Sequence, residues 1–310
     1  MSDYILSGTK DLFFRAFENS ASSNHPLQPG DIPDSVIRLN FGSRVNQQLK
    51  QDVIPNSVKK LDLGHFFNHP LQSGVIPNSV THLKLGFWFN QPLKPGDIPE
   101  NVKYLEFGYY FNQQLNPGDI PESVNYLVFG WSFNRPLEIG IIPNSVTQLV
   151  LVNYFNQLLK PGVVPNSVTH LSIGCYFDQT LNNINIPNSV THLVIRVRDA
   201  EKLDKWYTPN SVTHLIFISD TCNIKSNHIT DSIDYIFLQS EHISDNDLEI
   251  IPEHIFVSSS QPLNIINRWT PARYKYFEEK TIYEQSFMSR LNSSILSDIP
   301  IELLLYLLEY

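Results

Sequence analysis

The chain has 310 residues, with 28 Asn, 21 Pro and 19 Phe but only 4 Ala and 13 Gly. So little of the strongest helix former argues against a mainly helical or doubly wound α/β protein. Lys and Arg total 22 against 31 Asp and Glu, a formal charge of −9, which opposes non-specific binding to nucleic acid or anionic lipid.

At the front, Asp3, Lys10, Asp11 and Arg15 interrupt every apolar run, so no secretory signal core is expected there. Nowhere do 18 uncharged apolar residues follow one another, and no membrane-spanning helix is expected. Cys175 and Cys222 supply neither a disulfide framework nor zinc-ligand spacing. The expectation is a soluble intracellular protein, most simply a cytoplasmic one. Residues 1–23 read as a cap: Ile5, Leu6, Leu12, Phe13, Phe14 and Phe17 among polar neighbours predict a short helix over 3–18 covering the first coil.

From residue 24 the sequence repeats. Pro33, Pro55, Pro77, Pro99, Pro121, Pro143, Pro165, Pro187 and Pro209 stand 22 residues apart. Counted from each proline, offset +3 is Val from Val36 to Val212, +6 is Leu from Leu39 to Leu215, and +12 is Phe from Phe67 to Phe177. Every glycine except Gly8 falls at +9 or +19, and none follows Gly174. A fixed period in this range marks a stacked architecture whose core exists only between neighbouring units. Apolar +6 and +8 between variable +5 and +7 mark a short strand. Such strands pair in parallel from coil to coil, about 4.8 Å apart, so ten coils make a stack of roughly 50 Å. The asparagines at +13 (Asn46, Asn68, Asn90, Asn112, Asn134, Asn156) are read as a structural column bonding to backbone at each bend.

These residues carry a family resemblance. The pattern F-N-x-P-L-x-x-G-x-I-P-x-S-V-x-x-L-x-L-G resembles the FNIP repeat, a relative of the leucine-rich repeat (LRR) found in proteins of amoebae and their large viruses. Residues 24–217 fit it well and 218–260 poorly, Thr230 replacing a proline after a 21-residue step. The unit after Pro187 carries Asp199 and Ala200 where Phe-Asn stands elsewhere. The resemblance implies an LRR-like curved solenoid and a protein-binding role.

If +6 and +8 point inward, the other strand offsets form columns along the outer face of the sheet. Offset +5 includes His82, Tyr104, Tyr126, His170, His192 and His214, and offset +7 runs from charged residues at the front to Val194, Ile216 and Phe237 at the rear. Three successive histidines one strand spacing apart have the residue type for a metal site or a proton-sensitive patch; the readings set above these are a partner-contacting column and tolerated repeat consensus. The apolar rear strip either meets a partner or is covered by the chain's own C-terminal segment. Just past the strand, offsets +10 and +11 bring Phe66, Phe87, Trp88, Tyr109, Tyr110, Trp131, Tyr154 and Tyr176 into a rim. It is read as a hot-spot row or as packing between coils. No nucleophile elbow, phosphate loop, dinucleotide fingerprint or metalloprotease motif occurs, so neither catalysis nor a metal or other cofactor is expected.

Residues 261–310 form a separate segment. Thr270 and Pro271 predict the start of a helix reaching about Leu291. The end, D-I-P-I-E-L-L-L-Y-L-L-E-Y, resembles the opening of an F-box, with Pro300, Glu302, Leu303, Leu304 and Leu307 at matching positions. That likeness implies binding to the adaptor of a cullin-type ubiquitin ligase; a plain capping helix is the other reading. The fold expected is a repeat solenoid, an LRR-like stack of 22-residue coils with a parallel β-sheet on one face and short helical caps at both ends. The function expected is a non-enzymatic scaffold for a protein partner; the alternative is a ligase substrate receptor.

Overall fold

A computed structural model of the chain describes residues 10–13, 26–43, 45–151, 154–174, 185–197, 207–219, 228–239, 251 and 256–259. The chain divides into two units, Met1–Ser258 and Ser259–Tyr310, and all the described residues except Ser259 lie in the first.

Twelve strands form one sheet in strict sequence order. They are β1 (Asp11–Phe13), β2 (Arg38–Asn40), β3 (Lys60–Asp62), β4 (His82–Lys84), β5 (Tyr104–Glu106), β6 (Tyr126–Val128), β7 (Gln148–Leu151), β8 (His170–Ile173), β9 (His192–Val197), β10 (His214–Ser219), β11 (Tyr235–Gln239) and β12 (Phe256–Ser259). The ladders from β1 to β11 are parallel, and from β2 to β10 each residue faces the one at the same repeat offset, as Leu39 faces Leu61 and Leu61 faces Leu83. The repeat register read from the prolines is the strand register.

Each part of the repeat has a visible task. The carbonyl of the proline accepts the N–H of the valine three residues on, at 3.1 Å in Pro33–Val36 and every coil through Pro187–Val190. In the coils of Ser79, Ser123, Ser145, Ser167 and Ser189 the serine between them reaches back to the preceding coil, Ser79 Oγ donating to Val58 O at 2.8 Å and Ser145 Oγ to Val124 O at 2.7 Å. At the irregular step Thr230 O still accepts from Ile233 N at 3.1 Å, because the turn needs a carbonyl there, which any residue supplies.

The core is two-sided. Val at +3 and Leu at +6 are buried throughout the described coils, and Phe67, Phe89, Phe111, Phe133 and Phe155 lie one above another with ring centroids 6.1–6.2 Å apart. Beside them the asparagines form a hydrogen-bonded column. Asn90 N donates to Asn68 Oδ1 at 2.9 Å, Asn112 N to Asn90 Oδ1 at 3.0 Å and Asn134 N to Asn112 Oδ1 at 2.9 Å. Each side chain thus closes a backbone donor that the bend leaves without a ladder partner.

Glycine at +9 lets consecutive coils nest: a Cβ on Gly108 would lie 1.9 Å from the Gly86 carbonyl oxygen. Where Arg196 and Ile218 take that offset, β9 and β10 continue to six residues instead of the three of β2 to β6. The two longest strands of the sheet thus both lack the glycine.

One expectation is corrected. The front cap is not a helix across 3–18: Asp11–Phe13 is a strand pairing in parallel with β2, and no α-helix occurs among the described residues. An edge of unpaired backbone needs donors and acceptors, which another strand supplies directly. Lys10 O accepts from both Ile37 N and Arg38 N, at 2.7 and 3.0 Å, and the Asp11 carboxylate binds the Arg38 guanidinium. The predicted C-terminal helix lies outside the described residues.

Two truncations separate the core terms. Phe111→Ala removes a fully buried ring and should cost about 3–5 kcal/mol. Asn90→Ala leaves the N–H of Asn112 and the Nε2 of Gln113 without their shared acceptor and should cost about 1–3 kcal/mol. Urea titrations give both, and equal losses would contradict this division of roles.

Candidate functional site

The short strands put three sets of outward side chains next to one another. The first is the +5 column. His82 and Tyr104 stack at 5.9 Å and Tyr104 and Tyr126 at 4.8 Å. After Gln148, His170 and His192 stack at 4.2 Å and 15°, and His192 and His214 at 4.3 Å and 14°. These histidines are half-buried, as are His82 and Tyr104, whereas Tyr126 is buried. In each Thr-His pair the threonine Oγ1 and the imidazole Nδ1 are 2.9 Å apart, so the rings are fixed in one orientation.

The second set is the +7 column. Asn40 Nδ2 donates to Asp62 Oδ2 at 2.8 Å, while Asp62 Oδ1 accepts the Gly64 N–H at 2.8 Å. Lys84 Nζ pairs with Glu106 at 2.9 Å and lies 5.9 Å from the centre of the Tyr104 ring, whose hydroxyl also donates to Glu106. Burial, aided by Glu106, pushes the Asp62 carboxyl above the usual carboxylate range, against the pull of the Gly64 N–H and Lys84. From Val128 onward the column changes character: Val128, Val150, Ser172, Val194 and Ile216 are all buried. The apolar rear strip is thus not an exposed patch at Val194 and Ile216, and the side chain of Phe237 lies outside the described residues. The open part of the sheet face is its charged front.

The third set is the rim. At +10, His65, Phe87, Tyr109 and Trp131 stack successively at 4.4, 4.7 and 5.4 Å. Outside them at +11, Phe66, Trp88, Tyr110 and Tyr154 are 46, 41, 37 and 43 % exposed. Trp88 and Tyr110 stack at 4.1 Å, and Trp88 Nε1 donates to His65 Nε2 at 3.3 Å. The two rows differ: +10 packs between coils and +11 faces outward. Stacking leaves edges, not faces, pointing outward. His65 is a member that aromatic counting alone passes over; its offset was the available signal.

Tyr176 and the F-box-like residues Pro300, Glu302, Leu303, Leu304 and Leu307 lie outside the described residues. Among the described residues, no three His, Cys, Asp or Glu side chains are placed to hold a metal ion, and no helix is long and apolar enough to cross a membrane.

Two measurements test this geometry. A double-mutant cycle on Trp88→Ala and Tyr110→Ala should give a coupling of about 0.5–1.5 kcal/mol, as expected for stacked rings; additive losses would mean the pair does not stack. The Asp62 carboxyl titrates higher in the folded chain than in the unfolded one. Its stabilising contribution is therefore present at low pH and fades as pH rises through the folded value. Asp62→Asn should gain on the wild type as pH rises above the ordinary aspartate value of about 4, and a constant difference in unfolding free energy would contradict it.

The comparisons agree with this architecture. Models of the FNIP Repeat match residues 24–66, 56–88, 67–110, 89–121, 111–154 and 155–195, more than half of the chain. No curated protein matches. Among solved structures, the chain is similar to CroV588, described as a novel circular LRR protein structure, at 31 % identity and a TM-score of 0.59. That match covers 80 % of this chain and 40 % of CroV588, so the chain spans well under half of that protein's length. With the repeat register, the parallel sheet and the matched family pattern together, the chain belongs to the FNIP repeat family and is an LRR-like solenoid.

Proposed function

We propose that the chain is a protein-interaction scaffold whose anchor is the outer rim of Phe66, Trp88 and Tyr110, bordered by the open front of the sheet. The observation that carries this reading is the exposure of three consecutive aromatic rings that are already held by their neighbours. Large side chains fixed before binding lose little entropy on contact, which is why aromatic residues dominate interface energies. Beside them, Lys60, His82, Lys84, Tyr104 and Glu106 offer polar groups that select among partners. From the adjoining coil, Tyr126 stacks on Tyr104 at 4.8 Å and Trp131 on Tyr109 at 5.4 Å. His170, His192 and His214 form the rear border of the surface.

The test is quantitative affinity capture with the full chain, comparing Trp88→Ala and Tyr110→Ala with His170→Ala/His192→Ala/His214→Ala. A partner retained by the wild type should lose about tenfold or more in affinity with each rim substitution. Full retention by both rim variants would remove the rim from the interface. A ligase adaptor recovered only when residues 295–310 are present would support instead the adaptor-linked reading of the Ile-Pro-x-Glu-Leu-Leu segment.

A further inference from the structure

The coils sort their charges by side. In the six coils that start at Pro33, Pro55, Pro77, Pro99, Pro121 and Pro143, offsets +9 to +16 carry the rim and the asparagine column and hold no Asp or Glu. All nine carboxylates of these coils stand at other offsets, in a chain whose formal charge is −9, so the side that carries the rim is the one kept clear of negative charge. Its Lys and Arg residues are Arg44, which lies outside the described residues, and Arg135, which is exposed and donates Nε–H to Asn112 O at 3.0 Å. The carboxylates that border this strip along the coil are already engaged. Glu106 pairs with Lys84 at 2.9 Å and Glu138 with Lys160 at 3.1 Å, while Asp62 accepts from Asn40 and Gly64.

The rings on this strip have the same polarity. Trp88 and Tyr110 lie face to face at 4.1 Å and 18°, and in the neighbouring row Phe87 and Tyr109 at 4.7 Å and 21°. At this spacing the facing surfaces are closed to a nucleobase or an ammonium group, each of which binds a ring face. What a stacked row turns outward is ring edges, the positive part of the aromatic quadrupole.

The asparagines two residues past the outer rings add donors. Asn46, Asn68, Asn90, Asn112 and Asn134 each meet the backbone N–H of the asparagine in the next coil, at 2.9–3.2 Å. A backbone N–H only donates, so the atom it meets is Oδ1. Each side chain therefore spends its acceptor on the fold, and what remains to it is Nδ2, which only donates. Asn46 and Asn134 are exposed and the three between them half-buried.

Ring edges, amide donors and an exposed guanidinium, with no carboxylate among them, match a ligand of acceptors. We infer that the rim takes an acidic segment of a protein partner, its carboxylates meeting the edges of Trp88 and Tyr110, the asparagine amides and Arg135. This rests on the rim being the interface and adds the chemistry of what it holds. A short acidic segment fits better than a nucleic acid or an anionic bilayer. It needs no ring face, and it engages only the local field, since the negative charge elsewhere on the chain is screened beyond about 8 Å at physiological salt, whereas a long polyanion meets the whole chain.

Short synthetic peptides that alternate Ser with Glu, Gln or Lys test this on the full chain, with the Trp88 indole proton–nitrogen signal as the readout and Trp88→Phe to assign it. The Glu peptide should move that signal and bind about fivefold or more tighter than the Gln peptide, and the Lys peptide should leave it in place. Asn90→Asp/Asn134→Asp keeps the acceptor each next coil needs, replaces the donor by a carboxylate oxygen, and puts the two new charges on alternate coils. Asp178 already stands at this offset. That variant should lose about fivefold or more in affinity for the Glu peptide and none for the Gln peptide, and Arg135→Gln should weaken the Glu peptide alone without touching the column. Equal binding of the Gln or Lys peptide, no movement of the Trp88 signal with the Glu peptide, or full affinity in both variants would overturn the proposal. So would displacement of the Glu peptide by oligouridylate or by phosphatidylserine vesicles, which would assign the rim to a polyanion. The two readings fail separately: a rim that is no interface shows in partner capture by Trp88→Ala and Tyr110→Ala, and a rim with another class of partner shows only in the peptides.

Discussion

One backbone contact sets the geometry of everything else: a single carbonyl at the head of each strand accepts two N–H groups from the next coil. Ile37 O receives Lys59 N and Lys60 N at 2.8 and 3.1 Å, and Lys59 O receives Thr81 N and His82 N at 2.9 and 3.1 Å. The same pair recurs coil by coil as far as Thr213 O, which receives Asp234 N and Tyr235 N at 2.9 and 3.2 Å. Because it holds successive coils at ladder spacing, any side chain repeated at one offset must meet its own kind in the next coil. The phenylalanine, asparagine and histidine columns are consequences of that one spacing, not separate inventions. Even the 21-residue step between His214 and Tyr235 keeps the contact, so the missing residue is absorbed elsewhere in the coil.

Spacing of this kind sorts residues by charge. Rings and amides gain from stacking on copies of themselves, whereas like charges directly opposite one another are destabilising. The +7 column obeys this rule: Asp62, Lys84 and Glu106 alternate in sign where it is open, and Val128, Val150 and Ser172 carry no charge where it is buried. Histidine sits between these classes, stacking as a neutral ring and repelling as a cation.

Much of the fold was legible because the repeat is written in residues with strong backbone or packing consequences. Proline positions gave the register, Leu39 to Leu215 gave the buried side of the strands, and the asparagine column was assigned its structural task from amide chemistry alone. What the sequence left open was decided by neighbours outside the unit. The burial of Val194 and Ile216 cannot be read from alternation, which distinguishes the two faces of a strand but says nothing of what covers them. The rim is similar: offsets +10 and +11 are both aromatic in the sequence, and only the turn geometry sends one inward and the other out. His65 was passed over for a related reason, since a histidine serves as an aromatic ring only when another ring, here Phe87, lies flat against it at 4.4 Å.

The front cap follows from the same carbonyl contact, and this explains why amphipathic patterning misjudged it. A solenoid end exposes both an apolar layer and a row of backbone groups, and a helix laid across it covers the first while leaving the second unpaired. Ile37 N and Arg38 N require an acceptor placed where a preceding coil would put one, and Lys10 O occupies that place. The spacing in sequence is different, 27 residues between Asp11 and Arg38, so the segment before the first full coil is not a copy of the repeat. Asp11–Phe13 reproduces the part of the repeat that the next coil must bond to. Leu12, half-buried, stands opposite Leu39 in line with the leucine column, while Asp11 opposite Arg38 supplies a carboxylate where the following coils carry Lys60 and His82. The ion pair this creates is well exposed at both partners and adds little to stability. Its value is in register, since it forms only when Leu12 stands opposite Leu39 and not one residue away, where the side chains would face the wrong side of the sheet.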